Sequence, residues 1–432
     1  MFALLAAALA VAAASPQLDA VPQTRLDTAL RCRLGAYALP AGRVVTITGD
    51  GGHARNLRYT LSSGAFGRLR EGADGAYSAG TLSVVFEPCE TGRLKFTGEQ
   101  GARLPLTETE TTFSSDGVSL HGKLVMPSGR PEAVAVWIDG SNNDPSTDDA
   151  IWQYELARRG VAVFVYDKRG TGTSGGAPSA DFHVRARDTA AAVKEARRLA
   201  PGVRKVGVLG GSQGGWVAPL AATLTPLDFV IPAFAMAEGP VAQDREVVED
   251  QLRQAGFPEA DLAKAATLTA LTARIVRSNF QEGFAELDVF RAQHAGEPWL
   301  KTIQPRSYTG ILLTLSSADA KAGGAAASQG LSFTYEPRPV IEAIKPRQLW
   351  LLGGGDRQAP SAGTQAILRE LQARRRNVSV VVFPKADHGL IERTKTAEAT
   401  TSAYSAGLFD ITADWIKTGR LPGGGTFVVR PD

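Results

Sequence analysis

The sequence is poor in the residues that mark several functions. It has two cysteines, five histidines and three methionines among 432 residues. No C-x-x-C pair and no H-E-x-x-H stretch occurs, so the spacing of a zinc site or a helical metalloprotease is missing and no metal or cofactor is expected. The net charge is only +3. No lysine–arginine block is interleaved with aromatics, so nucleic-acid binding has no support. The almost unbroken apolar run Met1–Ala14 is too short to span a bilayer comfortably.

That run ends in Ala12-Ala13-Ala14, with Leu18-Asp19-Ala20 beyond it. It suits the apolar region and small-residue cleavage site of a secretory signal peptide over residues 1–20, although the usual basic segment is missing. A periplasmic or secreted protein is expected, with no stable membrane span in the mature chain. In an oxidising compartment Cys32 and Cys89 could pair, closing a loop worth on the order of 4 kcal/mol in the chain-entropy account.

The most informative stretch is Val206-Gly-Val-Leu-Gly-Gly-Ser-Gln-Gly-Gly-Trp-Val-Ala218. A short apolar run, a glycine-flanked serine and the start of a helix put Ser212 on a sharp bend with its hydroxyl presented outward. Gly210 and Gly214 are needed where a side chain would collide with neighbouring backbone. A second G-x-S-x-G, Gly172 to Gly176 around Ser174, lacks that context. Asp167, Lys168 and Arg169 separate it from the preceding strand, and Gly175, Gly176 and Pro178 cannot begin a helix. Ser174 reads as a polar loop residue and Ser212 as the candidate nucleophile.

A nucleophilic serine needs a neutral imidazole, itself oriented by a carboxylate. His53 lies in a glycine-rich turn, His121 in a strand-like run, His183 at the opening of a helix and His294 at the end of one. His388 stands in the loop Pro384–Gly389, after the β-branched run Val378–Phe383. Loops at that edge of a parallel sheet gather catalytic groups. Asp356 ends the neighbouring run Gln348–Leu352 and its glycine turn. Asp387 competes with it, but a residue next to a histidine in a tight loop usually points away from the ring. The order Ser212, Asp356, His388 is that of the α/β-hydrolase fold. The oxyanion needs two N–H donors. Gln213, at the positive end of the following helix, supplies one. Ser141, in the loop after the strand Ala133–Ile138, supplies the other, with Gly140 permitting the turn.

Together with Tyr166-Asp-Lys-Arg-Gly-Thr-Gly-Thr-Ser174, Gly-Gly-Gly-Asp356 and Asp-His388-Gly, this elbow resembles the α/β-hydrolase superfamily, and within it bacterial serine esterases with an N-terminal extension. The resemblance covers about 117–237 and 346–418. It implies Ser212, Asp356 and His388 as the triad, with Gln213 and Ser141 as oxyanion donors. Two departures stand out. The oxyanion loop has Asp139-Gly140 where relatives commonly have His-Gly, and Gly211 stands where many have histidine. A carboxylate near an oxyanion is unfavourable unless it points away or is paired.

The expected fold class is α/β: a mostly parallel sheet with helices on both faces, a helical cap insertion and a small N-terminal β domain. The divisions are a signal peptide at 1–20, a β-rich domain at 21–112, hydrolase core at 113–237, a cap at 238–345 and core again at 346–432. The runs 44–48, 57–61, 82–86 and 94–97 are the expected strands of the β domain, whose architecture stays open. Helical spacing of Val247, Leu252, Leu262, Leu268, Phe284 and Phe290 marks the cap, and the alanine–glycine run Lys321–Gly330 reads as a flexible connector within it.

The leading function is hydrolysis of a small-molecule carboxylic ester through an acyl-enzyme, with peptidase or acyltransferase chemistry on the same triad as the near alternative. A hydrolase fold serving as a non-catalytic binding module is a further one. An oxidoreductase reading rests on Gly170-Thr-Gly172-Thr-Ser-Gly175, which matches G-x-G-x-x-G. No helix begins at its third glycine, so a bound phosphate would lack its helix N-terminus.

Overall fold

The computed structural model describes residues 25–51, 53–374, 377–396 and 400–429, so the signal-peptide expectation at 1–20 lies outside the described residues. Two sheets organise the chain. The first begins with β1 (Gly35–Ala38), β2 (Val44–Gly49), β3 (Leu57–Leu61), β4 (Ala65–Glu71), β5 (Tyr77–Ala79), β6 (Leu82–Phe86), β7 (Arg93–Phe96) and β8 (Glu99–Arg103). Each strand pairs antiparallel with the next, and β8 pairs back onto β1 through Tyr37 opposite Arg103. The architecture left open by the sequence is therefore a closed β-barrel. Closure removes the exposed edges that a free sheet of this size would present.

Alternation fills the barrel. Val45, Ile47, Leu57, Leu69, Tyr77, Val84, Leu94 and Phe96 form one apolar cluster, which Leu26, Leu30 and Leu34 join. Strand β2 breaks the simple inside-out pattern, because Thr46 and Thr48 on its other face are buried too. Thr46 there donates its hydroxyl to Glu155 at 2.6 Å, a residue of the second unit. Cys32 and Cys89 are joined by a disulfide, with Cα atoms 5.8 Å apart.

The second sheet runs in the order β9 (Thr107–Ser115), β10 (Val118–Met126), β12 (Ala162–Tyr166), β11 (Ala133–Ile138), β13 (Lys205–Gly211), β14 (Phe229–Ala233), β15 (Arg347–Gly353), β16 (Val378–Phe383) and β19 (Phe427–Val429). The pairings from β12 to β19 are parallel, and β9 and β10 run antiparallel. Helices cover both faces, so the central strands are apolar throughout rather than alternating. Along β11, Ala133, Ala135 and Trp137 face one core and Val134, Val136 and Ile138 the other. This is the α/β-hydrolase fold with a helical insertion and an N-terminal β domain.

Between β14 and β15 lie the helices Pro240–Gln254, Glu259–Arg277, Phe284–His294, Pro298–Thr302, Tyr308–Thr314, Ser317–Ala327 and Arg338–Ala343. The first six share a core of their own, which includes Phe284, Trp299 and Tyr308, whereas Ile341 of the last packs on the hydrolase core with Trp350 and Leu352. The run expected to be a flexible connector is instead largely helix: Ser317–Ala327 covers all but its last three residues. Ser316 caps it by accepting the Asp319 N–H at 3.1 Å, and alanine is the best helix former, so the small residues extend the helix rather than loosen it. Gly324 is buried against the Phe280 ring.

A late hairpin also had no signal in the sequence. Strands β17 (Ile391–Lys395) and β18 (Thr400–Tyr404) form a hairpin that leaves the hydrolase sheet and joins the barrel at β4.

Candidate active site

Strand β13 carries the chain to Ser212, and helix Gly214–Leu224 begins two residues later. Ser212 has φ 53°, in the left-handed region where a non-glycine residue is strained. Its N–H donates to the Ala233 carbonyl at 2.9 Å, and its own carbonyl accepts the Gly215 N–H at 2.8 Å. Those bonds hold the bend. A Cβ at Gly210 would lie 2.5 Å from the Gly214 carbonyl carbon, and one at Gly214 only 2.8 Å from the Asp139 carbonyl oxygen. The turn closes only without side chains at both positions.

His388 Nε2 lies 2.9 Å from Ser212 Oγ, and its Nδ1 lies 2.8 Å from Asp356 Oδ2. Asp356 is fixed by its surroundings, since its other oxygen accepts the N–H groups of Gln358 at 2.9 Å and Ala359 at 2.8 Å. Its side chain is 1 % exposed, against 19 % for His388. The Phe234 ring packs edge-on to the imidazole, with centroids 5.3 Å apart. Asp387, the competing carboxylate, is ion-paired with Arg393.

The remaining histidines stand apart. His121 sits between Asp167 at 3.2 Å and Glu110 at 2.5 Å. Hydrogen bonds to Asp167 and then Glu110 hold its imidazole up at about 9. His294 contacts Glu297 at 2.7 Å, and His183 lies in the first turn of helix Phe182–Leu199. His53 lies between β2 and β3. Ser174 is buried and fully engaged: its hydroxyl donates to the Asp167 carbonyl at 2.7 Å and accepts the His121 N–H at 2.9 Å.

The loop after β11 packs beside Ser212, where a Cβ on Gly140 would sit 3.4 Å from the Ser212 Cβ. Asp139 is paired: one carboxylate oxygen accepts the Gly140 N–H at 2.7 Å and the other the Ser146 hydroxyl at 3.0 Å. Two cations that sequence reading passed over hold this loop. Lys168 Nζ donates to the Gly140 carbonyl at 2.8 Å and to that of Asn142. Arg185 donates to the Asp139 carbonyl and to the side-chain oxygen of Gln213, bridging the loop and the residue after Ser212. The Gly140 carbonyl and the Ser141 N–H belong to one trans peptide and point in opposite directions, so fixing the first aims the second. Burial, and then the Arg185 guanidinium, push the Lys168 ammonium down to about 7. Burial also lowers Arg185. Lys168 falls in the Asp-Lys-Arg-Gly stretch and could have been singled out. Arg185 is an unremarked position on a helix, with no local signal.

Among the described residues, no group of acidic, histidine or cysteine side chains could hold a metal ion. No helix among them is long and apolar enough to cross a membrane.

Residues 137–399 match the model of the alpha/beta hydrolase family, more than half of the chain. The chain belongs to the alpha/beta hydrolase family. Membership supports hydrolase activity. No curated protein matches it. Similar solved structures are distant. An esterase of Pyrococcus furiosus is 15 % identical, with 66 % of this chain and 83 % of that one covered at a TM-score of 0.42. Est1E from Butyrivibrio proteoclasticus, solved with ferulic acid bound, is 16 % identical, covering 71 % and 96 % at 0.40. The acylaminoacyl peptidase of Pyrococcus horikoshii is 14 % identical, covering 82 % and 51 % at 0.41.

Proposed function

We propose that this hydrolase cleaves carboxylic esters through an acyl-enzyme on Ser212, with His388 as the base and Asp356 as its orienting carboxylate. The observation that carries this reading is the continuous hydrogen-bonded chain from Ser212 Oγ through both nitrogens of His388 to Asp356 Oδ2. Ser212 Oγ attacks the carbonyl carbon while its proton passes to His388 Nε2. The Nδ1–H stays on the imidazole, directed at Asp356, which stabilises the imidazolium. Charge develops on the carbonyl oxygen, where the N–H groups of Gln213 and Ser141 act as donors. The tetrahedral intermediate collapses, His388 returns its proton to the departing alkoxide, and a water molecule then repeats the sequence to release the acid.

The carboxylate of Asp139 accepts hydrogen bonds on both oxygens, and the Arg185 guanidinium bound to the same residue's carbonyl offsets its charge. A periplasmic or secreted location is part of the same reading and is supported by the disulfide between Cys32 and Cys89. A fluorophosphonate probe tests the proposal. The wild-type chain is expected to label at Ser212, and Ser212→Ala to abolish both labelling and ester hydrolysis. Labelling that survives in Ser212→Ala and disappears in Ser174→Ala would overturn it.

A further inference from the structure

Both flanks of His388 are tied to the hairpin β17–β18. Asp387, on one side, donates its N–H to the Ile391 carbonyl at 2.8 Å and ion-pairs with Arg393 of β17. Leu390, on the other, accepts the Ser405 N–H at 2.9 Å on its carbonyl. The hairpin therefore closes directly on the loop that presents the imidazole.

The far side of the hairpin belongs to the barrel. Strand β18 pairs with β4, Ser402 opposite Phe66 and Ala403 opposite Ala65. The Tyr404 N–H donates to the Gly64 carbonyl at 3.0 Å. The Tyr404 ring bridges the two units, with its centroid 4.9 Å from that of Phe66 in the barrel and 5.2 Å from that of Phe409 in the hydrolase helix Leu408–Thr418. The barrel also reaches the other side of the site. Gly49 and Gly51, at the end of β2, pack against the carboxyl groups of Asp149 and Asp144 in the segment that follows Ser141. Asp50 between them is anchored by Arg58 at 3.0 Å and by Arg68.

We infer that the N-terminal barrel is a positioning domain for the active site, its strand β4 holding the His388 loop in register with Ser212 through the paired strands β17 and β18. The inference rests on the serine-hydrolase reading above. His388 sits on the loop that follows β16, and Leu390 two residues on has φ 59°, a conformation that persists only where its surroundings enforce it. A base displaced by about 1 Å costs roughly a hundredfold in rate. A β-ladder to a closed barrel supplies the rigidity that such a loop lacks.

Gly64 offers the test. Its φ is +91°, and a Cβ there would meet the Tyr404 carbonyl oxygen at 2.5 Å, so Gly64→Val forces β18 off β4 without altering a group in the site. In full-length protein the expected result is a fall in kcat of at least about tenfold, with KM within about twofold and a matching slowing of fluorophosphonate labelling at Ser212. Adding Ala65→Cys and Ala403→Cys, which face each other, and oxidising them should restore kcat. Wild-type kcat in Gly64→Val, together with faster amide exchange at 400–404, would overturn the inference and leave the serine-hydrolase reading intact. Failure of the wild-type chain to label at Ser212 would instead remove that reading. If Gly64→Val does not fold, Phe66→Ala decides on the same readouts, since it removes the ring on which Tyr404 and Arg58 both pack and leaves the groups of the site in place.

Discussion

Glu246 and Glu238 bring their carboxyl groups together beside Gly363, at the root of the helical insertion. Glu238 follows β14, and Glu246 lies on the first inserted helix, Pro240–Gln254. Thr364 donates its hydroxyl to Glu238 at 3.0 Å, and Trp216 donates its ring N–H to the Glu238 carbonyl at 2.8 Å. Two carboxyls held this close raise the cost of placing a charge on both. Burial, and then Glu238, push Glu246 up to about 8, with Arg245 opposing and Glu249 adding to the rise.

The sign of the consequence is fixed. Between the ordinary carboxyl value and about 8 the folded chain holds a proton that the unfolded chain has lost, so stability falls as pH rises through that window and levels off above it. Thermal unfolding followed from pH 5 to 9 should show the decline, and Glu246→Gln should make it shallower by removing the group that holds the extra proton. A parallel decline in the variant would show that the pair does not contribute.

Ser174 and Ser212 should separate cleanly. Ser174→Ala leaves the Asp167 carbonyl and the His121 N–H without their shared partner in a buried place, a loss of about 1–2 kcal/mol. Denaturant titration should register it, while the rate of fluorophosphonate labelling stays at the wild-type value.

Lys168→Met should act on rate rather than on binding. It removes the donor that holds the Gly140 and Asn142 carbonyls, and with it the aim of the Ser141 N–H. A weakened oxyanion donor lowers kcat by roughly ten- to a hundredfold with little change in KM, measured on a simple ester. An unchanged kcat would mean that the loop keeps its shape without Lys168.

The disulfide should matter for stability and not for chemistry. It closes a separation of 57 residues within the barrel, so Cys32→Ser with Cys89→Ser should cost about 2–4 kcal/mol. Calorimetry of the variant and of the reduced wild type should agree with each other.

Much of this was legible residue by residue. The apolar run ending at Gly211, the glycines around Ser212 and the order Ser212, Asp356, His388 all follow from local rules of turn geometry and strand pattern. The runs 57–61, 82–86, 133–138 and 378–383 coincide with β3, β6, β11 and β16, because alternating or continuous apolar strands carry their own signal. The run Lys321–Gly330 reads as flexible because glycine and alanine together suggest it, whereas capping by Ser316 and packing on Phe280 make most of it helix.

By itself, then, the sequence determined which side chains stand at strand ends and which serine sits on an elbow, since both depend on neighbours a few residues away. Only the tertiary structure decided that β8 returns to β1, that Lys168 and Arg185 grip the loop beside Ser212, and that a polar hairpin after His388 joins a barrel more than 300 residues earlier in the chain. Backbone pairing of that kind uses N–H and C=O groups common to every residue but proline. The partner of a strand is consequently set by where the folded chain brings it, and no local pattern records the choice.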